Sequence, residues 1–192
     1  MIDFEEHGYT IIRGFLDSAS LATMSRYMEY RAKQTSETNT DPTSRYAFYA
    51  DPLAETVLYN SREEIESICG RSLYPTYSYS RVYVRGDELK KHVDRSSCEI
   101  SVSVNVAIDG SPWPIWCRYK GNSAVKCVLE PGDAVVYKGC EVEHWREPLQ
   151  HASINAQFML HYVDADGPYA SYKWDSRPSL GMPSNKREKQ CL

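Results

Sequence analysis

Residues 77–95 read YSYSRVYVRGDELKKHVDR. Their first half alternates. Tyr77, Tyr79, Arg81 and Tyr83 fall on one side, and Ser78, Ser80, Val82 and Val84 on the other. That is the period of two that a β-strand imposes. After a Gly-Asp break comes His92-Val93-Asp94. In an extended chain His92 and Asp94 point the same way, so both can ligate one metal ion. Two neutral imidazoles and one carboxylate, with coordination positions left open, form the donor set associated with non-heme Fe(II). The third ligand must come from elsewhere. His144 follows a Pro131-Gly132-Asp133 turn and lies in a strand-like stretch. Its rivals are His7 in the N-terminal preface, His151 in a loop, and His161 on an apolar strand. A histidine on an apolar strand is more often packed and hydrogen-bonded than a ligand. His92, Asp94 and His144 are therefore the candidate metal ligands. The competing reading is an ordinary hydrogen bond between His92 and Asp94 at a strand end.

Working outward, short strands are expected near 8–15, 98–107, 114–118, 124–129, 133–138, 140–146 and 153–163. Turn signals at Asp109-Gly110, Gly121-Asn122 and Pro131-Gly132-Asp133 separate several of them. Asp17 or Ser18 can cap a helix running to about residue 32. Asp51-Pro52 starts a second helix. Ser61 and Glu64 form a capping-box pattern for a third, stopped by Gly70. The polar residues 34–45 read as a loop or lid. The chain is thus mainly β with flanking helices (α+β). It should fold as a barrel-like double sheet with helices packed outside. The Pro-, Ser- and Lys-rich tail, residues 178–192, should be loosely ordered.

Composition narrows the function. With 192 residues the chain suits one domain, expected over 1–177. A formal charge of −4 with dispersed basic residues provides no basic stripe, so no nucleic-acid partner is expected. No apolar run reaches the length of a membrane span. The six cysteines include no C-x-x-C pair, and the N-terminus is acidic, unlike a signal peptide. Reduced thiols in the cytoplasm are the simplest reading.

Residues 77–95 also resemble the strand and metal motif of the 2-oxoglutarate- and Fe(II)-dependent oxygenases, the prolyl 4-hydroxylase-like group in particular. Residues 8–16 (GYTIIRGFL) resemble the first strand of the phytanoyl-hydroxylase-like branch. Residues 130–137 (EPGDAVVY) resemble the turn and strand before the distal histidine. The resemblance spans roughly 8–165. It implies a double-stranded β-helix (jelly-roll, cupin-like) core over 76–165 behind a helical preface, 1–75. It implies Fe(II), 2-oxoglutarate and O2 at the site, with ascorbate as a stimulant. The reaction would hydroxylate a C–H bond of a peptide residue or small metabolite, releasing succinate and CO2. It further implies that the Tyr83 hydroxyl contacts the co-substrate.

One element of that pattern is missing. The group usually carries a basic residue on the strand after the distal histidine, to pair the co-substrate's 5-carboxylate. Residues 153–156 here are Ser-Ile-Asn-Ala. A buried carboxylate needs a counter-charge, so another cation must serve. Arg146 shares a strand face with His144 and is the first candidate. Its alternative partner would be Glu143 or Glu147. Arg81 is second, and Arg95, Arg118 or a lysine follow. Tyr77, Tyr79, Arg95 and Asn105 are candidate substrate contacts, with a salt bridge from Arg95 to Glu99 as the alternative. Ser101 could line the cavity. Trp113, Trp116 and Trp145 read as packing residues. Two other functions stay open: a cupin-like metal enzyme without 2-oxoglutarate, and a non-catalytic barrel-type binding module.

Overall fold

The computed structural model describes residues 4–38 and 46–182. In chain order its elements are α1 (Phe4–His7), β1 (Tyr9–Ile12), α2 (Ser18–Thr38), β2 (Ala47–Tyr49), α3 (Pro52–Asn60) and α4 (Arg62–Cys69). There follow β3 (Leu73–Val84), β4 (Leu89–His92), β5 (Ile100–Ile108), β6 (Ile115–Tyr119), β7 (Val125–Cys127), β8 (Ala134–Lys138), β9 (Val142–Arg146) and β10 (Ile154–Asp164). Two antiparallel sheets result, ordered β1-β8-β5-β10-β3-β2 and β4-β9-β6-β7. This is the jelly roll with flanking helices that the sequence led us to expect.

Alternation along the strands decides what each sheet face does. On β5, Val102, Val104 and Val106 are fully buried. They pack with Val82, Val136, Phe158 and Leu160 against Met28, Leu58 and Ile65 of the helices. Each such side chain contributes roughly 1.5–3 kcal/mol of burial. Their strand neighbours Ser101, Ser103 and Asn105 are also buried but point to the opposite face, between the sheets. That inner face carries hydroxyls, amides and rings, which must be partnered when buried. A second apolar cluster, including Ile115, Cys117, Cys127, Leu129 and Val142, fills one part of the inter-sheet space. The rest is left for a site.

Several local expectations hold. Asp17 accepts a hydrogen bond from Ser20 N at the start of α2 (2.8 Å). Asp51 accepts from Leu53 N and precedes Pro52 at the start of α3. Gly70 ends α4 in the left-handed region, φ 65°. Three expectations need correction. Helix α2 runs to Thr38, so residues 34–38 of the expected lid continue a helix. Residues 39–45 lie outside the described residues. The capping box at Ser61 and Glu64 is not made. Ser61 is the one residue between α3 and α4, has helical angles, and makes no capping hydrogen bond to α4. Its hydroxyl instead donates back to Val57 O (2.8 Å). Finally, the tail is tied down as far as Met182. Arg177 pairs with Glu55 and donates to Met182 O (2.9 Å). Residues 183–192 lie outside the described residues. Cys69, Cys98, Cys117, Cys127 and Cys140 are in no disulfide. No helix among the described residues is long and apolar enough to cross a membrane.

Candidate metal centre

Strands β4 and β9 pair so that His92 sits directly opposite His144. Asp94 lies just beyond the end of β4, so strand alternation is not what aligns it with His92. Its backbone N–H donates to Gly139 O instead (2.8 Å), which swings the carboxylate between the two rings. Asp94 Oδ1 is 3.6 Å from His92 Nε2 and 3.5 Å from His144 Nε2. One ligand atom from each of the three lies within 4.8 Å of the others. Neighbouring ligands about 2.1 Å from one ion are about 3 Å apart, so a small inward movement would complete the site.

The surroundings prepare each donor for a cation. His92 Nδ1 faces Lys90 O at 2.7 Å, and His144 Nδ1 faces Val142 O at 3.0 Å. A carbonyl can only accept, so Nδ1 carries the proton in both rings and Nε2 presents its lone pair. Burial holds the His144 pKa below its ordinary value, which keeps the ring neutral. Burial would raise the Asp94 pKa, but the His92 contact, the nearby His144 and His161, and the Ser101 hydroxyl bring it below normal. Ser101 Oγ donates to Asp94 Oδ2 (2.6 Å) and lies 3.0 Å from His161 Nδ1. Thus Oδ2 is engaged and Oδ1 turns toward the histidines. His161, packed at a tilt against Tyr77 (4.6 Å between ring centres), is the packed, hydrogen-bonded histidine expected. Asp94, Cys98 and His161 form a second group of possible ligands. Ser101 already bridges its carboxylate and imidazole. Gly139 is required here, since a Cβ would stand 2.0 Å from Cys98 O and 2.7 Å from Asp94 Oδ2.

A narrow cleft, with a cavity volume of about 50 Å³, opens from this cluster. Its walls include Tyr79, Arg81, Tyr83, Leu89, Tyr137, Arg146, Gln157 and Met159. On β9, Val142, His144 and Arg146 are buried while Glu143 and Trp145 face outward. Arg146 is therefore on the ligand side and only 2% exposed. It pairs with neither Glu143, which binds Arg118, nor Glu147. Its guanidinium donates to Trp113 O, Gln157 Oε1 (3.2 Å) and Ser103 Oγ (3.3 Å). Trp113 covers it at 4.9 Å. All these partners are neutral, so a buried cation faces the cleft with its charge uncompensated by a carboxylate. Tyr83 is buried against Trp113, and burial raises its hydroxyl pKa. Arg81 lies over the Tyr83 ring (4.5 Å) and pairs loosely with Asp87 (3.9 Å).

The other candidates are dispersed. Tyr79 lines the cleft. Tyr77 lies behind His161, with its hydroxyl 3.1 Å from Cys98 Sγ. Asn105 is buried in an amide network, donating to Leu129 O (2.8 Å) and accepting from Asn155 and Gln157. Arg95 is not bridged to Glu99; it grips Asp175 with two contacts, 3.0 and 2.9 Å. Sequence reasoning overlooked Gly139 and Gln157 and underrated Ser101. Only the Ser101–Ser103–Asn105 alternation could have pointed to an inward polar row.

Solved structures similar to this one include a 2OG-Fe(II) oxygenase family oxidoreductase from Burkholderia pseudomallei, with TM-score 0.65 and 12% identity, covering 84% of this chain and 86% of that one. A prolyl hydroxylase from Trichoplax adhaerens, in complex with a hypoxia inducible factor peptide, superposes with TM-score 0.67 and 14% identity. The match covers 91% of this chain and 90% of that one. The α-ketoglutarate-dependent epimerase SnoN from nogalamycin biosynthesis gives 0.67 and 13%, covering 99% and 90%. HygX from Streptomyces hygroscopicus, with nickel and 2-oxoglutarate bound, gives 0.65 and 11%, covering 85% of each chain. The fold is that of the 2-oxoglutarate/Fe(II) oxygenases. No family model matches the sequence, and no curated protein does.

Proposed function

We propose that this protein is an Fe(II)- and 2-oxoglutarate-dependent dioxygenase that hydroxylates a C–H bond of a small metabolite or peptide residue. The convergence of His92, Asp94 and His144 at one end of a cleft with a buried arginine, in this fold, carries the reading. When bound, the metal and 2-oxoglutarate supply the oxidising power, with succinate and CO2 as by-products. The chain supplies position and electrostatics. His92 and His144 present Nε2 because their Nδ1 atoms are committed to backbone carbonyls. Asp94 presents Oδ1 because Ser101 occupies Oδ2. Arg146, assisted by Tyr83, takes the co-substrate's 5-carboxylate, and a planar guanidinium suits that group. Arg81 is the alternative cation. Trp113 shields Arg146 from water, which strengthens any ion pair made there. The free thiols fit a cytoplasmic enzyme.

The test is release of succinate from 2-oxoglutarate with Fe(II) and ascorbate, without prime substrate. We expect slow, metal-dependent turnover that Asp94→Ala abolishes. No succinate from a protein that binds Fe(II) would support the second reading, a cupin-like metal enzyme without 2-oxoglutarate. That reading draws on the neutral residues of β10 that face Arg146. Failure to bind a divalent ion would leave the barrel-type binding module.

A further inference from the structure

Arg95 directly follows the ligand Asp94, and Tyr77 links it to the wall of the cleft. Its guanidinium lies over the Tyr77 ring (4.7 Å), and Tyr77 packs at a tilt against His161, which lines the cleft. Arg95 is thus next to Asp94 in the chain, with its guanidinium separated from the cleft by the Tyr77 and His161 rings, and its side chain is 39% exposed. Its partner is unusual. Asp175 takes both Arg95 Nη atoms, at 3.0 and 2.9 Å, and also accepts from the Tyr49 hydroxyl at 2.6 Å. The two-pronged contact is the geometry in which a guanidinium recognises a carboxylate ligand.

Asp175 reaches that place through a strained backbone. Trp174, Asp175 and Ser176 have φ of 58°, 54° and 62°. Three consecutive non-glycine residues in the left-handed region are strained, and such strain gathers at ligand clamps and switches. A segment serving only to fill space could relax. This one is held by the carboxylate's contacts, with Arg177 locked onto Glu55 just beyond.

We propose that Arg95 is the receptor for a carboxylate on the prime substrate, and that Asp175 occupies this receptor until substrate arrives. The substrate class is then a carboxylic acid, whether a free acid or the side chain of an acidic residue in a peptide. The assignment rests on the dioxygenase reading only in placing the acid beside the reacting centre. Asp175 acts as an internal competitor. An incoming acid pairs with Arg95, and the 170–176 segment loses its tether and relaxes. One guanidinium balances one monoanion, which favours a carboxylate over a phosphate dianion.

The full-length chain, metal-free and Zn(II)-loaded, would be titrated calorimetrically with benzoate, benzamide and N-acetyl-aspartate α-amide. Hydrogen exchange over residues 169–177 would be followed in parallel. We expect acids, but not benzamide, to bind and to speed exchange in that segment. Benzoate against the aspartyl amide distinguishes a free acid from a peptide side chain. If Asp175 holds Arg95 more than about nine-tenths of the time, vacating the receptor tightens an acid about tenfold or more. Asp175→Asn should show that gain, and Arg95→Gln should remove acid binding. Unchanged or weaker acid affinity in Asp175→Asn would make Asp175 a structural staple and overturn the proposal. Equal binding of benzamide, or no binding of either acid, would do the same. Because none of these readouts needs turnover, the outcome is independent of whether the protein releases succinate.

Discussion

Arg146 owes its importance to what surrounds it. The guanidinium is 2% exposed, and every hydrogen-bond acceptor it has is neutral. A buried cation in that state is costly unless an anion completes it. Arg146→Ala should therefore weaken 2-oxoglutarate binding by roughly 2–5 kcal/mol, measured calorimetrically, with metal affinity retained. Arg146→Lys should recover only part, since the paired fork is lost. An unchanged 2-oxoglutarate affinity would move the role to Arg81. Ser101 is the second informative side chain. Its hydroxyl fixes which Asp94 oxygen faces the histidines. Ser101→Ala should lower metal affinity about 10–100-fold, read by competition with a chelating dye. Affinity equal to the native protein's would mean that Gly139 and the backbone alone orient Asp94.

At the scale of elements, two turns hold the site. The first is the β8–β9 connection, where Gly139 lets Asp94, Cys98 and Ser101 converge. Gly139→Ala should abolish metal binding or folding, because backbone at 2.0 Å cannot yield as a flexible side chain could. The second is the Glu130-Pro131-Gly132-Asp133 turn before β8. Asp133 accepts from Gly14 N (2.9 Å), Arg13 Nη1 (2.6 Å) and Glu130 N (3.0 Å), tying the end of β1 to β8. Burial would raise its pKa, but these contacts together bring it below the ordinary carboxylate value. The folded carboxyl thus holds its proton less tightly than the unfolded one. Its stabilisation is present in full above the unfolded value and drains away as pH falls through the lower folded value. Thermal melts from pH 6 down to pH 2 should show a steep acid limb that Asp133→Asn flattens. Identical limbs would assign the acid sensitivity elsewhere.

For the whole molecule, the candidate ligands His92, Asp94 and His144 join β4, β9 and the loop entering β5, so an ion bound there would stabilise the assembled barrel. A ligand that binds only the folded state adds about 2.7 kcal/mol at a hundredfold excess over its Kd. Mn(II) or Zn(II) should raise the melting temperature of the native protein and not that of His144→Ala. An equal rise in both would place the ion at some other site.

The sequence by itself determined the alternation, the turns and which residues are candidate ligands. Period-two patterning is local, so β3, β5 and β10 and the inward face of Arg146 followed from it directly. Asp51, Pro52 and Gly70 marked helix ends because capping is settled within one turn of chain. The start of the expected loop at residue 34 and the Ser61 box failed at junctions, where helix α2 ran on and where one residue served two helices. What only the tertiary structure decided is pairing between distant segments. No spacing rule sets Arg95 against Asp175 rather than Glu99, or brings Ser101 under Asp94. Nor does any local signal leave Arg146 among neutral acceptors beneath Trp113. Those contacts depend on strand order and register across two sheets, and the chain specifies them only when it closes.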